Sequence, residues 1–125
     1  MRSLILSKSS VCGCIYAHAR ARMFQEGKMV ESRIERHLVE GVKKLGGMCL
    51  KFTSPGTPGV PDRLIITAEG RIIFAELKTE TGRLAKIQRY TIGEMQKRGA
   101  DVRVVKGLDE VKQLLAEIGG GLNAV

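Results

Sequence analysis

Pro61-Asp62-Arg63-Leu64-Ile65-Ile66-Thr67, Ala68-Glu69-Gly70 and Arg71-Ile72-Ile73-Phe74-Ala75-Glu76-Leu77-Lys78 follow one another without a break. Two β-branched apolar runs flank a short turn ending in glycine, which predicts a β-hairpin. With Ala68-Glu69-Gly70 as a three-residue loop and Gly70 left-handed, the pairing is centred on Glu69. Asp62 then lies opposite Glu76. Side-chain alternation puts Phe74, Glu76 and Lys78 on one face and Ala75 and Leu77 on the other. A turn centred between Glu69 and Gly70 would reverse that parity. Directly opposed side chains have Cβ atoms roughly 4.5–5.5 Å apart. Two carboxylates that close repel each other, and a divalent cation between them removes the repulsion.

Mg²⁺ is a hard ion that keeps several waters and takes one or two protein carboxylates beside substrate phosphate. Asp62 and Glu76 supply such a pair, and the backbone carbonyl of Leu77 is a further oxygen. Lys78, on the same face, is placed to orient or deprotonate a water, or to steady charge on a developing phosphorane. The set suits in-line hydrolysis of a phosphodiester. The same residues also fit a plainer description, a solvated Asp–Lys–Glu ion network at strand ends, which would contribute little.

The flanking segments give the hairpin a context. Val30, Ile34, Leu38, Val42 and Leu45 form one helical stripe that Gly46-Gly47 ends, with Glu31 and Glu35 side by side next to it. Met48 to Thr53 reads as a strand. Ser54 to Pro61 is a loop stiffened by Pro55, Pro58 and Pro61. Its backbone N–H groups, near Ser54 and Gly56, can lie along a phosphate chain. After the hairpin, a helix is expected from about Leu84 to Gly99 with Leu84, Ile87, Thr91 and Met95 on its packed face. A strand over Asp101–Lys106 and a helix marked by Leu108, Val111, Leu114, Leu115 and Ile118 follow, with Asp109 as N-cap and Gly119-Gly120-Gly121 as its end. The order α-β-β-β-α-β-α predicts an α/β fold with a mixed central sheet flanked by helices.

Composition narrows the class of partner. The chain has 125 residues with 43% hydrophobic and 27% charged, enough for one domain with a modest core. Its net charge of +8 favours an anionic partner. No apolar run approaches the ~18 residues of a membrane span, and three scattered cysteines suit a reducing, cytoplasmic compartment. Residues 1–28 read as a flexible basic extension, with Arg2, Lys8, Arg20, Arg22 and Lys28 set against Glu26. Cys12-x-Cys14 with His18 matches no zinc spacing and lacks a fourth ligand. Met29 opens the patterned region and is a second candidate for the start of translation. Residues 119–125 read as a frayed tail.

Pro61-Asp62 followed by Glu76-Leu77-Lys78 resembles the Pro-Asp…(Asp/Glu)-x-Lys motif of the PD-(D/E)XK nuclease superfamily. Within it, Gly46-Gly47, Lys51-Phe52-Thr53-Ser54-Pro55-Gly56, Gly59-Val60-Pro61-Asp62-Arg63, Phe74-Ala75-Glu76-Leu77-Lys78 and Gln88 are similar to the virus-type replication-repair nuclease (VRR-NUC) domain. The resemblance runs from Glu31 to about Leu115 and places a nuclease domain at 29–118. It implies a restriction-endonuclease-like αβββαβ core plus a C-terminal helix, and an Mg²⁺- or Mn²⁺-dependent enzyme. Asp62 and Glu76 would be metal ligands and Lys78 the catalytic lysine. The superfamily also places a glutamate on the first helix. Aligned on the glycine that ends that helix, archaeal Holliday-junction resolvases put theirs at a distance matching Glu35, with Glu31 beside it; either acid also fits the helix dipole.

Gln88 is either a donor to a metal-bound water or phosphate, or a plain helix-surface glutamine. Lys51, Arg63, Arg83, Lys86 and Arg89 are candidate phosphate contacts, or solvated charges. The implied function is a homodimeric DNA endonuclease selective for branched, Holliday-junction-like DNA. The alternatives are a DNA-end or flap nuclease of phage or plasmid replication, and a basic nucleic-acid-binding module without turnover.

Overall fold

The structure is a computed structural model that describes residues 30–123. Glu31–Val125 form one unit of the chain; the extension expected over residues 1–28 and the possible start at Met29 lie outside the described residues. Helix α1 covers residues 30–44. Strands β1 (Met48–Lys51), β2 (Arg63–Ile66) and β3 (Ile72–Lys78) follow, then helix α2 (Lys86–Lys97), strand β4 (Val102–Lys106) and helix α3 (Gly107–Asn123). This is the α/β order that the hydrophobic periods predict, a four-stranded mixed sheet with a C-terminal helix.

The sheet runs β1-β2-β3-β4, with β1, β2 and β3 antiparallel and β4 parallel to β3. The hairpin register is Arg63 opposite Ala75 and Leu64 opposite Phe74, as a loop centred on Glu69 requires. Thr67 and Gly70 close that loop with an N–H to C=O bond of 2.9 Å, and Gly70 has φ +88°. At this φ a Cβ is disfavoured, so the glycine sets the parity of both strands.

One face of the sheet carries the core. Ile65, Ile73, Ala75 and Val105 meet Ile34, Leu38 and Val42 of α1 and Val111, Leu114 and Ile118 of α3. Helix α1 ends as its sequence predicts: Gly46 has φ +83°, and Gly47 N–H reaches back to the Val42 carbonyl at 3.0 Å.

Helix α2 lies on the other face and is rotated from the expected orientation. Thr91 is buried as expected, but its buried neighbour is Ile92, while Ile87 is 46% exposed. The cause is polar packing: Gln88 turns toward Glu76 of β3, and the Thr91 hydroxyl donates to the Pro58 carbonyl at 2.9 Å. Helix α3 also departs from expectation. It starts at Gly107, directly after β4, so Asp109 lies in its first turn and is not the cap. It then continues through Gly119-Gly120-Gly121 to Asn123. A Cβ at Gly119 would sit 3.3 Å from the Leu45 side chain, just past the end of α1, so packing there favours a small residue without breaking the helix.

Candidate active site

The C-terminal end of β3 delivers Glu76, Leu77 and Lys78 to the start of β2. Together with Glu31, Ile34 and Glu35 of α1 and with Asp62, these three line a cleft of about 150 Å³. Four acidic residues and one lysine thus line a small volume. Alternation on β3 explains the arrangement: Glu76 is turned away from the core that Ala75 enters, yet it is only 4% exposed.

Glu76 is held from three sides. The Asp62 N–H donates to its Oε2 at 3.2 Å, the Gln88 side-chain amide donates to its Oε1 at 2.8 Å, and the Lys78 ammonium pairs with the same Oε1 at 3.3 Å. Gln88 is itself fixed, because its Oε1 accepts the Ala85 N–H at 2.9 Å. One side chain therefore caps α2 and orients a carboxylate of the cleft. Neither sequence alternative for Gln88 anticipated a bond to Glu76 itself.

Asp62 is the least satisfied member. Its Oδ1 is buried with no hydrogen-bond partner. Burial, then the charge of Glu76, push its carboxyl above the usual range; the backbone N–H groups of Leu77 and of Asp62 itself, and the Lys78 ammonium, offset this only in part. An orphaned buried acceptor beside a second carboxylate is what a hard cation would satisfy, and Mg²⁺ needs no more than one or two such groups. The donor set therefore fits a divalent ion. Among the described residues, no three His, Cys, Asp or Glu side chains converge closely enough to hold a metal. Asp62 and Glu76 line the same cleft and are linked by the Asp62 N–H, and Glu35 is engaged elsewhere.

The partner of Glu35 is Arg63, which corrects the expectation that Arg63 contacts phosphate. Arg63 is 6% exposed, because it lies on the face of β2 that also carries Ile65 into the core. Alternation from Asp62 already placed it there, and the arginine's charge hid the signal. The other expected phosphate contacts, Lys51, Arg83, Lys86 and Arg89, are exposed, as is Gly56, and Ser54 is half-buried. The loop bearing Ser54 and Gly56 is clamped to α2: Gly59 has φ +81°, and a Cβ there would come within 2.5 Å of the Ile87 carbonyl oxygen.

The fold and cleft together define a restriction-endonuclease-like α/β domain with an acidic site at the end of its central hairpin. No protein-family model matches the sequence. A solved structure described as a "VRR_NUC domain" is 34% identical with a TM-score of 0.64, over 68% of this chain and 92% of that one. A second, a "VRR_NUC domain protein", shares the fold at 18% identity and a TM-score of 0.52, over 71% of this chain and 87% of that one. The chain belongs to the VRR_NUC domain family. A curated protein of Acyrthosiphon pisum secondary endosymbiont phage 1, named "Putative nuclease p44", is 56% identical over 48 residues, 38% of this chain. The match spans about half (52%) of that relative's length. No helix among the described residues is long and apolar enough to cross a membrane.

Proposed function

We propose that this protein is a metal-dependent nuclease that hydrolyses DNA phosphodiester bonds at the Asp62–Glu76 cleft. The observation that carries the reading is the buried, unpartnered Oδ1 of Asp62 in a cleft that Glu76 and Lys78 also line. Structural ion clusters are satisfied; this one lacks positive charge where a phosphate would have to approach.

Asp62 and Glu76, with the Leu77 carbonyl, would hold Mg²⁺ or Mn²⁺, and Glu35 or Glu31 would stand beside them. When bound, the ion supplies Lewis-acid polarisation of the phosphoryl group and neutralises its charge. The chain's own groups do the rest. Gln88 fixes Glu76, so the carboxylate does not have to reorganise during reaction. Lys78 presents an ammonium to charge that develops on the phosphoryl oxygens or aligns the attacking water. Lys51, Arg83, Lys86 and Arg89 offer exposed positive charge to flanking phosphates, and about four such contacts would make affinity fall steeply with salt.

The finer reading is an endonuclease selective for branched DNA and acting as a homodimer in the cytoplasm of a bacterial or phage-infected cell. Strand β1 supports the dimer: it lies at the sheet edge, with Met48 57% and Leu50 40% exposed. A two-fold pair would supply the two cuts that a four-way junction needs. The flap or DNA-end reading keeps the same site and drops the symmetry.

Labelled four-way junctions, flaps and plain duplex, incubated with wild type or Lys78→Ala in Mg²⁺ or EDTA, test the proposal. Cleavage that requires both Mg²⁺ and Lys78 is expected, strongest on junctions. Cleavage indifferent to both removes the metal-site reading, and binding without cleavage in any metal turns it into a binding module. Equal cutting of plain duplex removes only the junction preference.

A further inference from the structure

The Arg63–Glu35 pair is built asymmetrically. Arg63 is boxed in: its side chain is 8% exposed, and its Nε is buried without a partner. In the sheet it is registered between Lys51 and Ala75. Glu35 is 46% exposed at the side chain and lines the cleft that holds Asp62 and Glu76. The carboxylate can therefore swing without disturbing the core, whereas the guanidinium cannot. A buried arginine at this position is costly where neighbouring core-facing positions carry Ile65, Ile73 and Ala75. An apolar side chain would pack there more cheaply, so the charge calls for a role beyond packing.

We propose that Arg63 is a positioning residue that holds the Glu35 carboxylate at the wall of the acidic cleft, so that Glu35 joins Asp62 and Glu76 only when a divalent cation outcompetes the guanidinium. This rests on the nuclease reading above. It accounts for a cleft that is lined by four acids yet brings no three of them together. It also limits repulsion in the metal-free protein: Arg63 neutralises one acid while Lys78 is engaged with Glu76.

Mn²⁺ binding to the full chain without DNA, read from the electron paramagnetic resonance of the free ion, tests this. Arg63→Met keeps length and apolar packing while freeing Glu35. It is expected to tighten Mn²⁺ binding ~10-fold: loss of a partner that supports a ligand weakens binding by at least about that factor, and Arg63 competes with the ion instead of supporting the ligand. The double variant Arg63→Met/Glu35→Gln should lose that gain. Loss of the Arg63 charge alone would tighten cation binding equally with and without Glu35, so Glu35→Gln alone is the reference against which the double variant is read. Unchanged or weaker binding by Arg63→Met, or a gain that survives in the double variant over Glu35→Gln, overturns the proposal. Should melting in EDTA show Arg63→Met unfolded, Arg63→Lys replaces it, with a smaller gain expected and no gain overturning the claim. Mn²⁺ bound by wild type with no response to either Arg63 variant overturns the arginine's role alone. Absence of Mn²⁺ binding in every protein overturns the nuclease reading with it.

Discussion

Charge gathers at both ends of β3, and the two ends treat it differently. Before the strand, Arg71 Nη2 donates to Asp101 Oδ2 at 2.7 Å. Arg103 joins Asp101 and Glu117, with Nε–Oδ1 at 2.6 Å and two guanidinium bonds of 2.9 Å to the glutamate. Two arginines meet two acids. Burial works against ionised Asp101, but hydrogen bonds from Arg103 and Arg71 outweigh it and hold that carboxyl below its usual range. Hydrogen bonding to Arg103 lowers Glu117 as well. At the far end of the strand the acids outnumber the bases, and Asp62 is pushed the other way. A charge cluster that only holds structure is closed on itself. A cluster left short of positive charge is disposed to bind it.

The largest effect expected from this contrast is on catalysis. Lys78→Ala and Glu76→Gln should each reduce Mg²⁺-dependent cleavage by at least ~10²-fold, measured on labelled junctions. Arg103→Ala, at the closed end, should leave cleavage within about two-fold, since nothing there reaches the reacting groups.

Next comes stability at the cleft wall. Glu35→Ala leaves the Arg63 guanidinium buried without its carboxylate, and should cost about 1–3 kcal/mol in urea denaturation. Glu35→Gln, which keeps an acceptor, should cost less. A Glu35→Ala variant as stable as wild type would show that the pair does not form in solution.

The third effect is one of pH, and its sign differs between the two ends. In metal-free protein, Asp62 binds its proton more tightly when folded than when unfolded. Any stability it contributes is present in acid and is lost as pH rises through its raised pKa. Asp101 and Glu117 behave oppositely: their contribution is present above the ordinary carboxylate range and is lost as pH falls through their depressed pKa values. In EDTA at neutral pH, Asp62→Asn should therefore melt at a higher temperature than wild type. The gain should shrink as the pH is lowered toward the carboxylate range. The smallest effect is Arg103→Ala on stability, at most ~1 kcal/mol because the network is largely solvated, and weaker in high salt.

The hairpin was legible in the sequence, and of the two turn centres open to it the three-residue loop closed by Gly70 is the one that sets Asp62 against Glu76, as the register shows. Helix α1 was readable from a clean apolar stripe closed by two glycines. The extent of helix α2 and the inward position of Thr91 were readable too, but not the rest of its packed face, since Gln88 turns in by hydrogen bond and Ile87 turns out, which leaves no apolar period. The run of glycines in α3 misled because Val111, Leu114 and Ile118 carry the helix by packing, which outweighs local propensity. Within the cleft, the acids and lysine could be named from the motif and from alternation. The pairing of Glu35 with Arg63 could not, because it joins residues distant in sequence through a core-facing charge.

The central claim is that the Asp62–Glu76 pair is a cation site. Thermal melting of wild type and Asp62→Asn, each in EDTA and in excess Mg²⁺, tests it most directly, because a ligand that binds only the folded state raises the melting temperature. The account predicts that Mg²⁺ stabilises wild type, and that Asp62→Asn starts higher in EDTA and gains nothing from the metal. Equal Mg²⁺ shifts in both proteins, or none in wild type, would contradict it.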